Sequence, residues 1–191
     1  MYLYYFAYGT NLHPARLQSR VPSAEFVEVA VLPDRALRFC KRSVDGSAKC
    51  TLVPALGSRT LGAVYRLAAE EKELLDRAEG LDQGYEEAWQ GLPLSDGVVR
   101  TFHYVAVPDY LDETLQPYHW YKHLVLAGAR YHGLPDAYIA AIEAIASIDD
   151  PDADRRGQNE VVLQGCRSAP CARPDDRPPA TRAPTEAAGG P

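Results

Sequence analysis

The chain reads as a single α+β domain, a strongly curved, mixed or mostly antiparallel β-sheet surrounded by helices. Three observations predict this. Apolar residues alternate in short segments, as in Val27, Val29 and Val31 and again in Leu61, Ala63, Tyr65 and Leu67, the period of half-buried strands. Other segments carry helix formers or an apolar stripe at helical spacing. Their order is strand, helix, several strands, helix, two strands, two helices, which is not the regular βαβ alternation of a doubly wound sheet.

Taken in order, Leu3-Tyr4-Tyr5-Phe6-Ala7 is aromatic-rich and reads as a strand. Gly9 permits a sharp turn, and Asn11 through Pro14 open a helix continuing through Arg16 and Leu17. Residues 26–32 form a strand ended by Pro33-Asp34, with a second short strand over 35–39. Residues 43–48 are polar and glycine-containing, a loop. A brief strand at 51–54 precedes the clearer one ending near Leu67. Residues 68–78 are rich in helix formers, with Glu70, Glu71 and Glu73 near the start, where carboxylates complement the helix dipole. Gly80 stops that helix.

Residues 85–92 and 98–107 read as two strands joined by a turn around Pro93 to Gly97. Residues 118–130 and 136–147 are helical, separated by Gly133-Leu134-Pro135, and Tyr138, Ile139, Ile142 and Ile145 make the apolar stripe of the second. From about Gly165 the composition turns to Pro, Ala, Arg, Asp and Gly without apolar periodicity. Such a segment buries too little surface to offset its ordering entropy. Residues 1–165 are therefore expected to form the domain and residues 166–191 a tail, disordered from Arg167 onward.

At 191 residues, with 46% hydrophobic and 24% charged residues, the chain can bury a real core. A net charge of −6 and a pI near 5.4 argue against a nucleic-acid surface, which needs a concentrated basic patch. No apolar run approaches the roughly 20 residues of a membrane helix, and no basic region precedes the first apolar stretch. The expectation is a cytoplasmic protein with neither membrane nor nucleic-acid partner. Cys40, Cys50, Cys166 and Cys171 form no Cys-x-x-Cys pair and match no common zinc spacing. They read as free thiols, Cys40 in a buried strand and the last two in the tail.

The junction Tyr8-Gly9-Thr10-Asn11-Leu12 carries the functional signal. A strand, a glycine turn and a helix start gather unpaired backbone N–H groups in one place, a geometry that suits a carboxylate. Tyr5-Phe6-Ala7-Tyr8-Gly9-Thr10-Asn11-Leu12 resembles the YFAYGSNL segment of the γ-glutamylcyclotransferase family, with Thr10 where Ser is usual. Leu75-Asp76-Arg77-Ala78-Glu79-Gly80, followed by Gly84-Tyr85-Glu86, resembles that family's LDxxEG…GxY segment. The likeness extends over 26–39, Gly62-Ala63-Val64-Tyr65, Tyr121-Lys122 through Gly128-Ala129, and Gly133-Leu134-Pro135 with Tyr138 and Ile145. It spans roughly residues 2 to 150.

The resemblance implies a small barrel-like mixed sheet with helices outside, and a cofactor-free, metal-free enzyme acting on a small γ-glutamyl substrate. It allows a homodimer. By the family pattern Glu79 is the catalytic acid–base, and the substrate is held by Tyr5, Phe6, Ala7, Tyr8, Gly9, Thr10, Asn11, Leu12 and Tyr121, with Tyr85 a further candidate. Position alone says less: Glu79 closes a helix, where the negative end of the dipole opposes ionisation, and an exposed helix-end Glu reads the same way. Tyr121 shares a helical face with Leu124, Val125 and Gly128, which also suits a core tyrosine.

Rival readings are a non-catalytic module that binds small carboxylates or a protein, and thiol catalysis through Cys40 or Cys50. The chain lacks the shorter tyrosine–glycine–serine–leucine segment of the glutathione-specific branch. His119 and His123 share a helical face suited to a metal, but at about 100° per residue that face lies about 200° from Tyr121, and no third ligand is evident.

Overall fold

The computed structural model describes residues 1–168. Strand β1 (Tyr2–Ala7) is the centre of the sheet. On one side it runs antiparallel to β3 (Ala48–Ala68), with Tyr5 opposite Tyr65 and Phe6 opposite Val64. On the other it runs parallel to β5 (Gly97–Ala106). The outer strands are β2 (Glu25–Arg42), paired with β3, and β4 (Tyr85–Leu94), paired with β5. The five strands thus lie in the order β2-β3-β1-β5-β4, a mixed sheet as expected.

The sheet curls in barrel-like fashion, as expected, but does not close. Its curl brings Glu28 of β2 to the turn after β4, where it accepts from the Ser95 N–H at 3.0 Å. That bridge runs through a side chain, and no backbone ladder joins the two edges.

The short strands expected at 26–32 and 35–39 are one strand, as are those at 51–54 and 61–67. Pro33-Asp34 bends β2 without ending it: Asp34 takes a left-handed φ of 56° at a shift in pairing register. There the pairing jumps from Pro33 opposite Arg59 to Arg35 opposite Pro54, and the four β3 residues 55–58 that loop out opposite Asp34 are tied to it by the Gly57 N–H, which donates to Asp34 Oδ1 at 2.8 Å.

Period-2 alternation places successive β1 side chains on opposite faces, and two cores result. Phe6 and Tyr8 pack with Val64 and with Leu124 and Val125 of α3 (His119–Tyr131). Tyr5 and Ala7 pack with Tyr65, Phe102, Tyr104 and Leu75, the last from α2 (Lys72–Glu79). Each buried aromatic or leucine contributes about 1.5–3 kcal/mol of transfer free energy. The helix expected at 68–78 begins as a 3₁₀ turn over Ala69–Glu71 and ends where Gly80 adopts φ 75°, a left-handed cap that glycine takes without steric penalty.

Helix α4 (Asp136–Glu143) stops short of residue 147, the expected limit, and is followed by α5 (Ala153–Ser168), which was not anticipated. Its sequence is largely polar, and only Leu163 and Cys166 are buried. Its start is held by Asp150, which accepts from the Trp120 indole and the Arg155 guanidinium. Helix α5 runs past the boundary expected at residue 165, so Cys166 is a buried helical residue and Arg167 is helical too. The rest of the expected tail lies outside the described residues. No helix among them is long and apolar enough to cross a membrane.

Candidate active site

The chain leaves β1 at Tyr8, turns at Gly9, and makes a 3₁₀ turn (Thr10–Leu12) and a short helix α1 (Pro14–Gln18). Leu12 anchors this turn: its carbonyl accepts from the Tyr65 hydroxyl at 2.7 Å and lies 2.8 Å from His132 Nε2. Helix α3 lies so close that a β-carbon on Gly128 would stand 2.7 Å from Leu12 Cβ and 2.8 Å from the His13 nitrogen. The Leu12 N–H is consumed by the Gly9 carbonyl at 3.0 Å. The N–H groups of Gly9, Thr10 and Asn11 have no backbone partner among the described residues, which narrows the expected donor set by one.

Gly9, Thr10 and Asn11 line a narrow crevice that opens to solvent. Its inner wall is Tyr5, Tyr8, Gly9, Thr10 and Asn11, and Glu79, Tyr85, Tyr104, Tyr121 and Cys50 complete it. Glu79 comes from the last turn of α2, whose Gly80 cap directs the chain back toward β4. Its Oε1 accepts from Asn11 Nδ2 at 2.7 Å and from Arg20 Nη1 at 2.9 Å. The side chain is 20% exposed, so it is neither fully buried nor in bulk water.

Tyrosine hydroxyls form the rest of the polar lining. Tyr121 accepts from the Cys50 N–H at 3.0 Å, Tyr85 donates to the Cys50 carbonyl, Tyr8 donates to the Tyr104 carbonyl, and Tyr5 accepts weakly from Asn11 at 3.4 Å. Burial pushes the phenols of Tyr8, Tyr85 and Tyr121 well above their ordinary range. They are neutral hydrogen-bonding groups at any ordinary pH. Burial likewise raises the Cys50 thiol. Two ammonium groups sit on the outer faces of these rings: Lys41 Nζ lies 4.6 Å from the centre of Tyr85 and Lys49 Nζ 4.7 Å from that of Tyr121.

Of the residues expected from the sequence, Tyr5, Tyr8, Gly9, Thr10, Asn11, Glu79 and Tyr121 meet at this crevice, with Tyr85. Phe6, Ala7 and Leu12 do not line it: they are core residues, at most 1% exposed, that fix the strand and turn. Sequence reasoning missed Arg20 and Tyr104 and did not place Cys50 in the pocket. No local pattern marks these residues, because their proximity is made by the sheet. Nor is Glu79 defined by its helix end alone, since Arg20 and Asn11 both bond it.

His119 and His123 open onto a separate cleft on the α5 side, lined also by Asp149 and Glu160. His119 contacts Ser147 at 2.7 Å. No group of three or more His, Cys, Asp or Glu side chains suited to a metal occurs among the described residues.

Comparison with known proteins fits this arrangement. The γ-glutamylcyclotransferase of Bos taurus is 30% identical over 167 residues, which cover 84% of this chain and 88% of the bovine one. The chain belongs to the γ-glutamylcyclotransferase family. The Homo sapiens γ-glutamylcyclotransferase matches at the same identity and coverage, and the AIG2-like family model matches residues 59–142. A solved structure titled γ-glutamyl cyclotransferase superposes with a TM-score of 0.75 at 26% identity, covering 86% of this chain and 99% of that one. A solved but uncharacterized Homo sapiens protein gives 0.74 at 27% identity, covering 85% and 98%. In this member of the γ-glutamylcyclotransferase family, the segments Tyr5 to Leu12 and Leu75 to Gly80 are far apart in sequence and meet through the Asn11–Glu79 hydrogen bond.

Proposed function

We propose that the chain is a cofactor-independent γ-glutamylcyclotransferase working in the cytoplasm, with Glu79 as its acid–base. The substrate is a γ-glutamyl amide, whose own α-amine attacks the γ-carbonyl carbon. The new C–N bond closes a five-membered lactam, the old amide C–N bond breaks, and 5-oxoproline and a free amine or amino acid leave. No water is consumed and no protein nucleophile is needed.

Holding the glutamyl chain folded back makes the attack effectively unimolecular, which removes about 7 kcal/mol or more of the barrier. The N–H groups of Gly9, Thr10 and Asn11 serve the substrate carboxylate or the oxyanion that develops on the γ-carbonyl. Glu79 takes the proton that the attacking nitrogen sheds and returns one to the departing nitrogen. Neutral tyrosine hydroxyls suit the uncharged parts of the glutamyl group.

The observation that carries this reading is the convergence of Glu79 with the donor-rich turn, 2.7 Å from Asn11, in a chain of this family. The test is incubation of the purified chain with γ-glutamyl-alanine and measurement of 5-oxoproline. Glu79→Gln is expected to lose roughly 10²- to 10⁴-fold in kcat while still binding 5-oxoproline. Full turnover by that variant removes Glu79 from the mechanism. Binding of 5-oxoproline without turnover of any γ-glutamyl compound would identify a non-catalytic module instead.

A further inference from the structure

We infer that Arg20 is a positioning residue for Glu79, fixing which of its two carboxylate oxygens exchanges protons with the substrate. The inference rests on the cyclotransferase reading above and assigns a residue that no sequence motif singled out.

Arg20 stands just beyond α1, where its own N–H closes onto the Leu17 carbonyl at 2.9 Å. Its Nη1 donates to Asn11 Oδ1 at 2.8 Å and to Glu79 Oε1 at 2.9 Å. Asn11 Nδ2 donates to the same Glu79 Oε1 at 2.7 Å. Three side chains from separate parts of the chain thus close a triangle in which every donor meets an acceptor. Arg20 is 24% exposed and Glu79 20%, so this is not a pair standing free in water, where such contacts count for little.

Two consequences follow from the chemistry of the groups. Both donors end on Oε1, and no hydrogen bond reaches Oε2 among the described residues. The terminal torsion of a glutamate is soft; pinning one oxygen with two donors, one of them charged, stops the carboxylate from turning and leaves Oε2 free to exchange the proton. Arg20 also orients Asn11. A guanidinium has no acceptor, so it faces only the amide oxygen, and the amide nitrogen is thereby turned to Glu79. Glu79, an acceptor only when ionised, selects the amide nitrogen, and Arg20 holds the amide oxygen at the other end, so the two together fix the orientation of Asn11.

Because a single nitrogen of Arg20 makes both contacts, a lysine ammonium can reproduce part of the arrangement, whereas methionine fills the space and donates nothing. The experiment measures kcat and KM for γ-glutamyl-alanine with the full chain carrying Arg20→Met, Arg20→Lys, Asn11→Ala, or Arg20→Met with Asn11→Ala. Thermal melting is measured in parallel. Arg20→Met is expected to lose roughly 10- to 100-fold in kcat, with KM within about threefold, because misplacement rather than lost binding is the defect.

Arg20→Lys is expected to recover most of that loss. The double variant is expected to lose far less than the two single losses combined, since the residues act as a unit. Should Arg20→Met melt below the assay temperature, Arg20→Gln carries the same comparison with Arg20→Lys. A KM raised more than about tenfold at unchanged kcat would make Arg20 a reader of substrate charge and overturn the inference. Unchanged kcat would overturn it as well, leaving the cyclotransferase reading in place. Absence of turnover in the unsubstituted chain would overturn both.

Discussion

The Tyr121 hydroxyl lies 3.9 Å from the point where a β-carbon on Gly9 would sit, and Cys50 Cβ lies 3.5 Å from the same point. Gly9 has a φ of −102°, a value open to any residue, so glycine is not needed there for a left-handed turn. It is needed to keep the crevice open between the turn and Tyr121. A methyl group at Gly9 meets its neighbours at ordinary contact distance and projects toward Tyr121 across the crevice, where the proposed substrate would sit. Gly9→Ala is therefore expected to melt within about 3 °C of wild type and to raise KM for γ-glutamyl-alanine roughly tenfold. A large drop in melting temperature with unchanged KM would show the turn itself to be strained.

Gly128 gives the opposite outcome. An added β-carbon there meets Leu12 Cβ at 2.7 Å and the His13 nitrogen at 2.8 Å, distances that force α3 away from the donor turn. Gly128→Ala is expected to destabilise by about 1–3 kcal/mol, read as a shift in urea midpoint at unchanged slope. Activity is expected to fall with it, because the same turn carries the N–H groups of Gly9, Thr10 and Asn11. An unchanged midpoint would mean that the helix yields freely.

His103 supplies a pH dependence whose sign can be worked out. Burial, with Arg35 nearby, pulls its pKa from 6.5 down to about 4, and neither ring nitrogen has a hydrogen-bond partner among the described residues. The folded state holds the ring neutral while the unfolded chain protonates it near 6.5, so between these values the unfolded chain binds more protons. The stability this ring contributes is thus complete above about pH 6.5 and is lost as pH falls toward about 4, at up to about 1.4 kcal/mol per pH unit. His103→Phe is expected to flatten that part of the stability profile. His132, also lowered to about 4 by burial, and His13 and His123, lowered by burial as well, keep the remaining slope. An identical profile in the variant would remove His103 as a contributor.

Cys50 lines the pocket, yet burial raises its thiol and leaves little thiolate near neutrality. Treatment with iodoacetamide at neutral pH is expected to leave 5-oxoproline formation unchanged over an hour. Rapid inactivation slowed by added 5-oxoproline would bring thiol chemistry back as the mechanism.

What the sequence determined by itself was local. The aromatic strand before Gly9, the alternation in Leu61 to Leu67, the glycine that ends α2 and the stripe of Ile139 and Ile142 are legible because each follows from the period or the backbone freedom of neighbouring residues. Sequence could not show that Pro33-Asp34 lies within one strand, at a jump in register with β3, because whether a ladder continues depends on the partner strand. Nor could it show that polar α5 forms, since its few apolar contacts, and the Trp120 indole that holds Asp150 at its start, come from elsewhere in the fold. Glu79 and the Gly9 turn were each visible, but Arg20, Tyr104 and the place of Cys50 in the pocket were not. Their meeting is made by β1 lying between β3 and β5 with α2 packed on one face, and hydrogen bonds between side chains so distant in sequence leave no periodic trace along the chain.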